Sequence, residues 1–406
     1  MKSFDTPEFW QFVTDNAGAD TRKLRLHYHG KDDADGVDYP LAITQIECRQ
    51  KFGSKLRDTL AANPRFLFPN ELAGEQSTSD LLATFHSSLL TVGETVTDLT
   101  AGLGIDALHF AAAGHTVLAV DRQEKLAEAL RFNAATMRLP DLTAMHADST
   151  ALLTEDGIHS DVAFIDPARR SADGGRVYAI ADCQPDVVAL LPLLRRHFSR
   201  LVIKLSPMLD VTQTMRDLGP ELESISITGT VTECKELVAV MRFGTETPID
   251  DCPVRCVTLG TAMESVFHFT RDDEQAAPAG SFGVPRAGYY VYELYPAVMK
   301  GAPFRTIQQR FTGLYKLSAN THVFYSRELI PEIPGIARRV SAVIPWQSKN
   351  IKRLKTTLPQ ADVAVRNFGM SAADLQKKLG LRPGGPHRLL AVTDTASTRH
   401  LLILTP

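Results

Sequence analysis

A doubly wound α/β sheet, mostly parallel with an antiparallel edge, is the fold class the sequence predicts, preceded by helices and followed by a small α/β unit. Three observations lead there. Short β-branched and apolar runs alternate with helical segments between about residues 95 and 244. The stretch "DLTAGLGIDALHFAAAG", from Asp98 to Gly114, puts two glycines where a strand would turn into a helix. Acidic residues recur where the strands should end: Asp98, Asp121, Asp148 and Asp166.

The elements follow in order. "TPEFWQFVTDNAG" reads as an amphipathic helix opened by Thr6 and Pro7 and closed near Gly18. After the acidic, turn-rich "GKDDADGVDYP", the run "LAITQIECRQKFGSKLRDTLAAN" (41–63) reads as one long helix. "STSDLLATFHSSLL" is a further helix with Ser77 or Ser79 as its N-cap. Then come the strand "ETVTDLT", the glycine turn and helix, the strand "HTVLAVD", the helix "RQEKLAEALRFNAATMRL" and the strands "LTAMHAD" and "DVAFIDP". The helix "CQPDVVALLPLLRRHF" and the strand "RLVIKLSP" follow, and "LESISITGTV" with "ELVAVMRFG" closes the series as two consecutive strands. Beyond Gly244, "YYVYELYPAVMKGAP" is a strand and a turn of helix. The segments from "VSAVIPW" to "STRHLLILT" give β-α-β-α-β-β. Four regions are expected: helical 1–90, the sheet domain 91–245, a small α+β connection 246–335 and a terminal α/β unit 336–406.

Composition narrows the function classes. With 44% hydrophobic and 22% charged residues the chain is globular, and no apolar run nears the roughly 20 residues that span a bilayer. Five scattered cysteines argue against a disulfide framework and for a reducing cytoplasm. The net charge of −3 hides a division: residues 336–406 hold twelve Lys and Arg against three Asp, a charge of +9 beside −12 elsewhere. A basic module on an acidic body points to a polyanionic partner.

In an open α/β sheet, ligands sit at the carboxyl ends of the strands, where these acids fall. Two ligands fit a glycine turn with an acid about 20 residues on. A dinucleotide places its pyrophosphate on the helix N-terminus. S-adenosylmethionine uses the same acid for its ribose, and its amine and sulfonium are positive. Asp98 and Asp106 flank the glycines and "GLGIDA" lacks the third glycine of the dinucleotide fingerprint, which favours the cationic donor.

"DLTAGLGID", "VLAVD", "HAD" and "FIDPARR", in this order and spacing, resemble the class I S-adenosylmethionine-dependent methyltransferases over residues 94–244. Within that class the first motif looks most like the trimethylguanosine synthases and a group of bacterial methyltransferases with a C-terminal THUMP-like domain. "QIECRQKFGSKL", "EQSTSDLLATFHSSLL", "NTHVFYSREL" and "NFGMSAADLQKKLGLRPGG" also look like that group, extending the resemblance over most of the chain. It implies a Rossmann-like sheet and S-adenosylmethionine as cofactor. Gly102 and Gly104 would approach the methionine part, Asp98 its amine, Asp121 the ribose hydroxyls, and Asp148 with Ser149 the adenine edge. Ala101, Asp106 and Arg122 belong to the same expected cofactor-binding set.

For the acceptor, Asp166-Pro167-Ala168-Arg169 stands where amino-group methyltransferases carry Asp/Asn-Pro-Pro-aromatic. Asp166 and the Pro167 carbonyl would accept hydrogen bonds from an exocyclic NH2, and Arg169 could stack on a base. Ala168 and Arg169 depart from that motif. Carbon methylation of a pyrimidine needs a cysteine, but the next strand ends in Lys204-Leu205-Ser206-Pro207. No cysteine or histidine spacing makes a metal site. The THUMP-like tail implies RNA, tRNA or rRNA, with Lys349, Lys352, Arg353 and Lys355 of "KNIKRLK" as phosphate contacts. A methyltransferase for a protein or small molecule, and a non-catalytic S-adenosylmethionine-binding protein, are the alternatives. Oligomeric state is left open.

Overall fold

The computed structural model describes residues 4–31, 36–155, 157–169, 180–261 and 265–406, the side chains of Arg169 and Lys355 excepted. The chain divides into two compact units, residues 1–223 with 238–246 and residues 224–237 with 247–406.

The first unit begins with short helices whose starts are set by side-chain caps. Thr6 Oγ1 accepts from Phe9 N at the head of Pro7–Asp15, with proline in the first turn. Asp38 caps Tyr39–Phe52, and Ser79, of the two serines expected, caps Asp80–Ser87. The single helix expected over 41–63 is two helices, Tyr39–Phe52 and Arg57–Ala62. Gly53 and Ser54 weaken the helix at the break. The buried Asp80 carboxylate then takes Asp58 N at 2.7 Å, Thr59 N at 3.1 Å and the Thr59 hydroxyl, so the second helix starts afresh. Phe9, Trp10, Val13, Ile46 and Leu67 pack with Ala129 and the half-buried Phe132 of the helix Glu124–Thr136. There the buried Asn133 amide accepts from Leu67 N and donates to Leu67 O.

Strands β1 (Thr95–Asp98), β2 (Thr116–Asp121), β3 (Leu142–His146) and β4 (Val162–Ile165) precede a two-residue antiparallel pair, β5 (Ala168–Arg169) with β6 (Cys183–Gln184). Strand β7 (Arg200–Leu205) follows. The chain then runs into β8 (Leu222–Gly229) and β9 (Cys234–Arg242), the expected consecutive pair. The order β7-β4-β1-β2-β3 is parallel throughout. Its middle strands are buried on both faces, β4 at every residue, as a sheet covered by helices requires. Strand β1 lies between β2 and β4, so the crossovers leave it to opposite sides. That is the switch point at which a crevice opens beyond the strand ends.

In the second unit, β10 (Val254–Thr258) runs parallel to β8, and β11 (Ser265–Phe269) closes on β10 antiparallel. The antiparallel edge, expected at β8 and β9, lies at these two further strands instead. β12 (Tyr290–Leu294), β13 (Tyr315–Lys316), β14 (Phe324–Ser326), β15 (Gly335–Pro345), β16 (Asp362–Arg366), β17 (Arg388–Thr393) and β18 (Arg399–Thr405) form a seven-stranded sheet, in the order β13-β14-β12-β15-β18-β17-β16. The helices Ser348–Thr357 and Ala372–Leu379 complete the β-α-β-α-β-β series. Leu354, Leu375 and Leu379 bury their side chains with Leu389, Ala391 and Leu401 of the sheet. No described helix is long and apolar enough to cross a membrane.

Candidate active site

The glycine turn is built by backbone necessity. Gly102 has φ +57° and Gly104 has φ +82°, in the left-handed region where a Cβ is costly. Gly104 caps the helix Ile105–Ala112, and a Cβ there would stand 2.3 Å from the Leu130 side chain. The amides of this turn are largely spent within the protein. Ala101 N donates to Val120 O, Gly102 N to Asp121 Oδ2 at 2.9 Å and Gly104 N to Ala101 O. A turn that has used its donors is a poor cradle for a pyrophosphate.

Around it lie carboxylates. Asp98, at the end of β1, is 1% exposed and accepts from Thr100 N at 3.0 Å. Burial first, then the charges of Asp106, Asp166 and Asp121, push its carboxyl well above the usual range. Asp121, half-buried at the end of β2, takes Gly102 N on one oxygen and Gln123 N on the other. Asp166, one residue past β4, has its backbone N–H on Thr100 Oγ1 at 2.7 Å, which links the strand end to the turn. Pro167 beside it is buried.

Asp106 opens the helix and carries a network. Its Oδ2 accepts from the Thr78 hydroxyl at 2.5 Å, and its Oδ1 lies 2.7 Å from His86 Nδ1. Burial raises its pKa, but the charge on His86, the His86 bond, Lys204 and Thr78 together bring it below the ordinary carboxylate value. Lys204, near the end of β7, donates to Thr78 Oγ1 at 3.1 Å and to Asp166 Oδ2 at 2.5 Å. Five side chains from four segments thus run His86–Asp106–Thr78–Lys204–Asp166.

The other expected residues are spread more widely. Ala101 is half-buried in the turn, and Arg122 is exposed just past β2, its carbonyl 3.2 Å from His146 Nε2. Asp148 is exposed and caps Ser149–Thr154 through Thr150 N at 2.8 Å, with Ser149 first in that helix. The Arg169 side chain and all of Arg170 lie outside the described residues; the Arg169 backbone pairs with Cys183. In the second unit, Lys349, Lys352 and Arg353 are exposed on Ser348–Thr357, whose buried side is Leu354. The Lys355 side chain is outside the description. Sequence reasoning missed Lys204, Thr78 and His86. The one available signal was a lysine inside the otherwise apolar "VIKL". Among the described residues no group of acids, histidines and cysteines could hold a metal.

Residues 337–406 match a THUMP domain-like family and residues 290–334 a ferredoxin-like domain. A Porphyromonas gingivalis W83 protein, assigned as a methyltransferase and solved as a crystal structure, is 27% identical. The likeness covers 98% of this chain and 97% of that one, with a TM-score of 0.86. An uncharacterised RNA methyltransferase of Mycoplasma mobile is 26% identical over 113 residues, which span 28% of this chain and 31% of that relative. The chain is a class I S-adenosylmethionine-dependent methyltransferase-like α/β protein that ends in a THUMP-like domain.

Proposed function

We propose that the protein transfers a methyl group from S-adenosylmethionine to an exocyclic amine of a structured RNA, either tRNA or rRNA. The observation that carries the reading is the set of carboxylates at the strand ends, with Asp166 bound by backbone to the glycine turn. A cationic donor suits that set. It relieves the crowding of negative charge around Asp98, whereas a pyrophosphate would add to it. Asp98 faces the donor's amine, Asp121 accepts from the ribose hydroxyls, and Asp148 with Ser149 borders the adenine. Asp106, bonded to Thr78 and His86, holds the turn in place.

When bound, S-adenosylmethionine would supply a methyl carbon on a sulfonium, to which an acceptor lone pair would bond as the C–S electron pair leaves with sulfur. The Asp166 carboxylate and the Pro167 carbonyl accept the amine's hydrogens, which leaves the nitrogen lone pair pointed at the methyl group. As the new N–C bond forms, positive charge grows on nitrogen and Asp166 stabilises it. The surplus proton leaves past Asp166 to solvent. Arg169 stacks on the base, in the place of the missing aromatic residue.

The RNA part is supported by the Mycoplasma mobile likeness, the THUMP-like domain and the exposed cations of Ser348–Thr357. The unpaired thiols of Cys48, Cys234, Cys252 and Cys256 suit a reducing cytoplasm.

The test is tritium transfer from labelled S-adenosylmethionine to total RNA of a strain lacking this gene, followed by nucleoside analysis. The expected product is an N-methylated base, with Asp166→Ala inactive and its donor affinity within a few-fold of the parent. Label in protein or small molecules, with RNA unlabelled, would replace RNA as the acceptor. Donor affinity lost together with activity would move Asp166 from the acceptor to the donor pocket.

A further inference from the structure

We propose that Lys204 is a positioning residue for methyl transfer: it fixes the Asp166 carboxylate at its strand end and ties it, through Thr78, to the segment that opens the helix Asp80–Ser87. The inference rests on the acceptor role of Asp166 given above.

The register places the two residues together. Strands β4 and β7 are parallel, with Phe164 opposite Val202 and Ile165 opposite Ile203, so Lys204 stands level with Asp166 one step beyond the ladder. A lysine on a strand end would ordinarily swing through solvent on its four-carbon stem. This one is 15% exposed, with Asp166 Oδ2 and Thr78 Oγ1 both within hydrogen-bond reach. The Thr78 hydroxyl accepts from Lys204 and donates to Asp106, so the bonds run in one direction from the ammonium to the carboxylate that faces His86. Such a chain orients each member. It also sets a positive charge against Asp166 and near enough to Asp106 to lower that carboxyl's pKa.

Two consequences separate this role from mere packing. Without Lys204 the Asp166 carboxylate loses the bond that holds its Oδ2, and misplacement by about 1 Å in a reacting array costs about a hundredfold in rate. Without the ammonium, Asp166 also takes up a proton more readily, and a protonated carboxyl accepts the amine's hydrogens poorly.

The experiment measures initial rates with tritiated S-adenosylmethionine and total RNA from the deletion strain across a pH series. It compares the parent with Lys204→Met, Lys204→Arg, Thr78→Val and Asp166→Ala. Lys204→Met should lower kcat about a hundredfold, leave the donor's KM within a few-fold, and move the acid limb of the pH–rate profile upward. Lys204→Arg should recover part of the rate and bring the limb back. Thr78→Val should change both in the same direction by less. If Lys204→Met does not fold, judged by its melting transition and by calorimetric donor binding, the other two variants decide through the position of the acid limb. An acid limb unmoved in every folded variant overturns the inference. Inactive Asp166→Ala beside fully active Lys204→Met sinks the Lys204 role alone, while fully active Asp166→Ala removes the acceptor reading and this inference with it.

Discussion

At the ends of β1 and β4, Asp98 is buried at 1% exposure, Asp106 shares its oxygens with Thr78 and His86, and Asp166 is bridged by Lys204. On the helix Ser348–Thr357, Lys349, Lys352 and Arg353 stand exposed in solvent. The first set acts by position. Each carboxylate feels its neighbours at low dielectric, and moving one alters the others. The second set acts by sum. Exposed cations are screened over about 10 Å of ordinary saline, and each contributes a similar increment to holding a polyanion. One chain carries both kinds of charge, and they should answer differently to mutation, pH and salt.

The sharpest break between them is expected at Asp121. On the proposed reading, replacing Asp121 with Ala removes the acceptor for two ribose hydroxyls, and charge-assisted bonds of this kind make the loss about 2–3 kcal/mol of donor affinity. Calorimetry of S-adenosylmethionine binding measures it directly. Unchanged affinity, or a switch of preference to NAD, would refute the assignment. Because Gly102 N also rests on Asp121, a change in melting temperature should accompany the loss.

A smaller effect follows from Asp98. Its carboxyl holds its proton to a higher pH than an ordinary carboxylate, so the ligand-free protein loses stability as pH rises through that raised value, where charge must form in the interior. A cationic donor reverses the preference. Donor affinity should therefore fall as pH drops below the raised value, by at most about tenfold per pH unit, and binding should release up to about one proton. Titration calorimetry in buffers of different ionisation enthalpy reads that proton. No buffer dependence would mean that Asp98 keeps the same protonation state with and without the ligand.

The smallest single-site effects belong to the basic helix. Replacing Lys349, Lys352, Arg353 and Lys355 together with Ser should weaken binding to unrelated RNAs alike, because phosphate contacts carry no sequence. The slope of log affinity against log salt should become shallower by roughly 0.7 to 0.9 per lost contact, with donor binding unchanged. Filter binding across a salt series checks it, and an unchanged slope would make the helix an ordinary solvated face.

Local chemistry explains what could be read in advance. The strand ends were legible because a glycine turn, an acid after a β-branched run and an Asp-Pro step each carry their meaning within a few residues. Lys204 was not, since its partner Thr78 lies 126 residues away and no local pattern pairs them. The helix break near Gly53 failed for the same reason. The carboxylate that starts the second helix belongs to Asp80, 22 residues downstream of Asp58. Local periodicity saw only a continuous apolar face. Asp148 shows the opposite case, where the acid named for a ligand is the N-cap of the helix Ser149–Thr154.

Thr100 has a consequence for engineering. Its amide holds the Asp98 side chain at 3.0 Å and its hydroxyl holds the Asp166 amide at 2.7 Å. On the proposed reading, the spacing between the donor's berth and the acceptor's berth is thereby gauged by one residue belonging to neither. A foreign loop grafted after β4 to change the acceptor would keep the reach of methyl transfer only if position 100 retained a hydroxyl, and Thr100→Val would detune even a perfectly chosen graft.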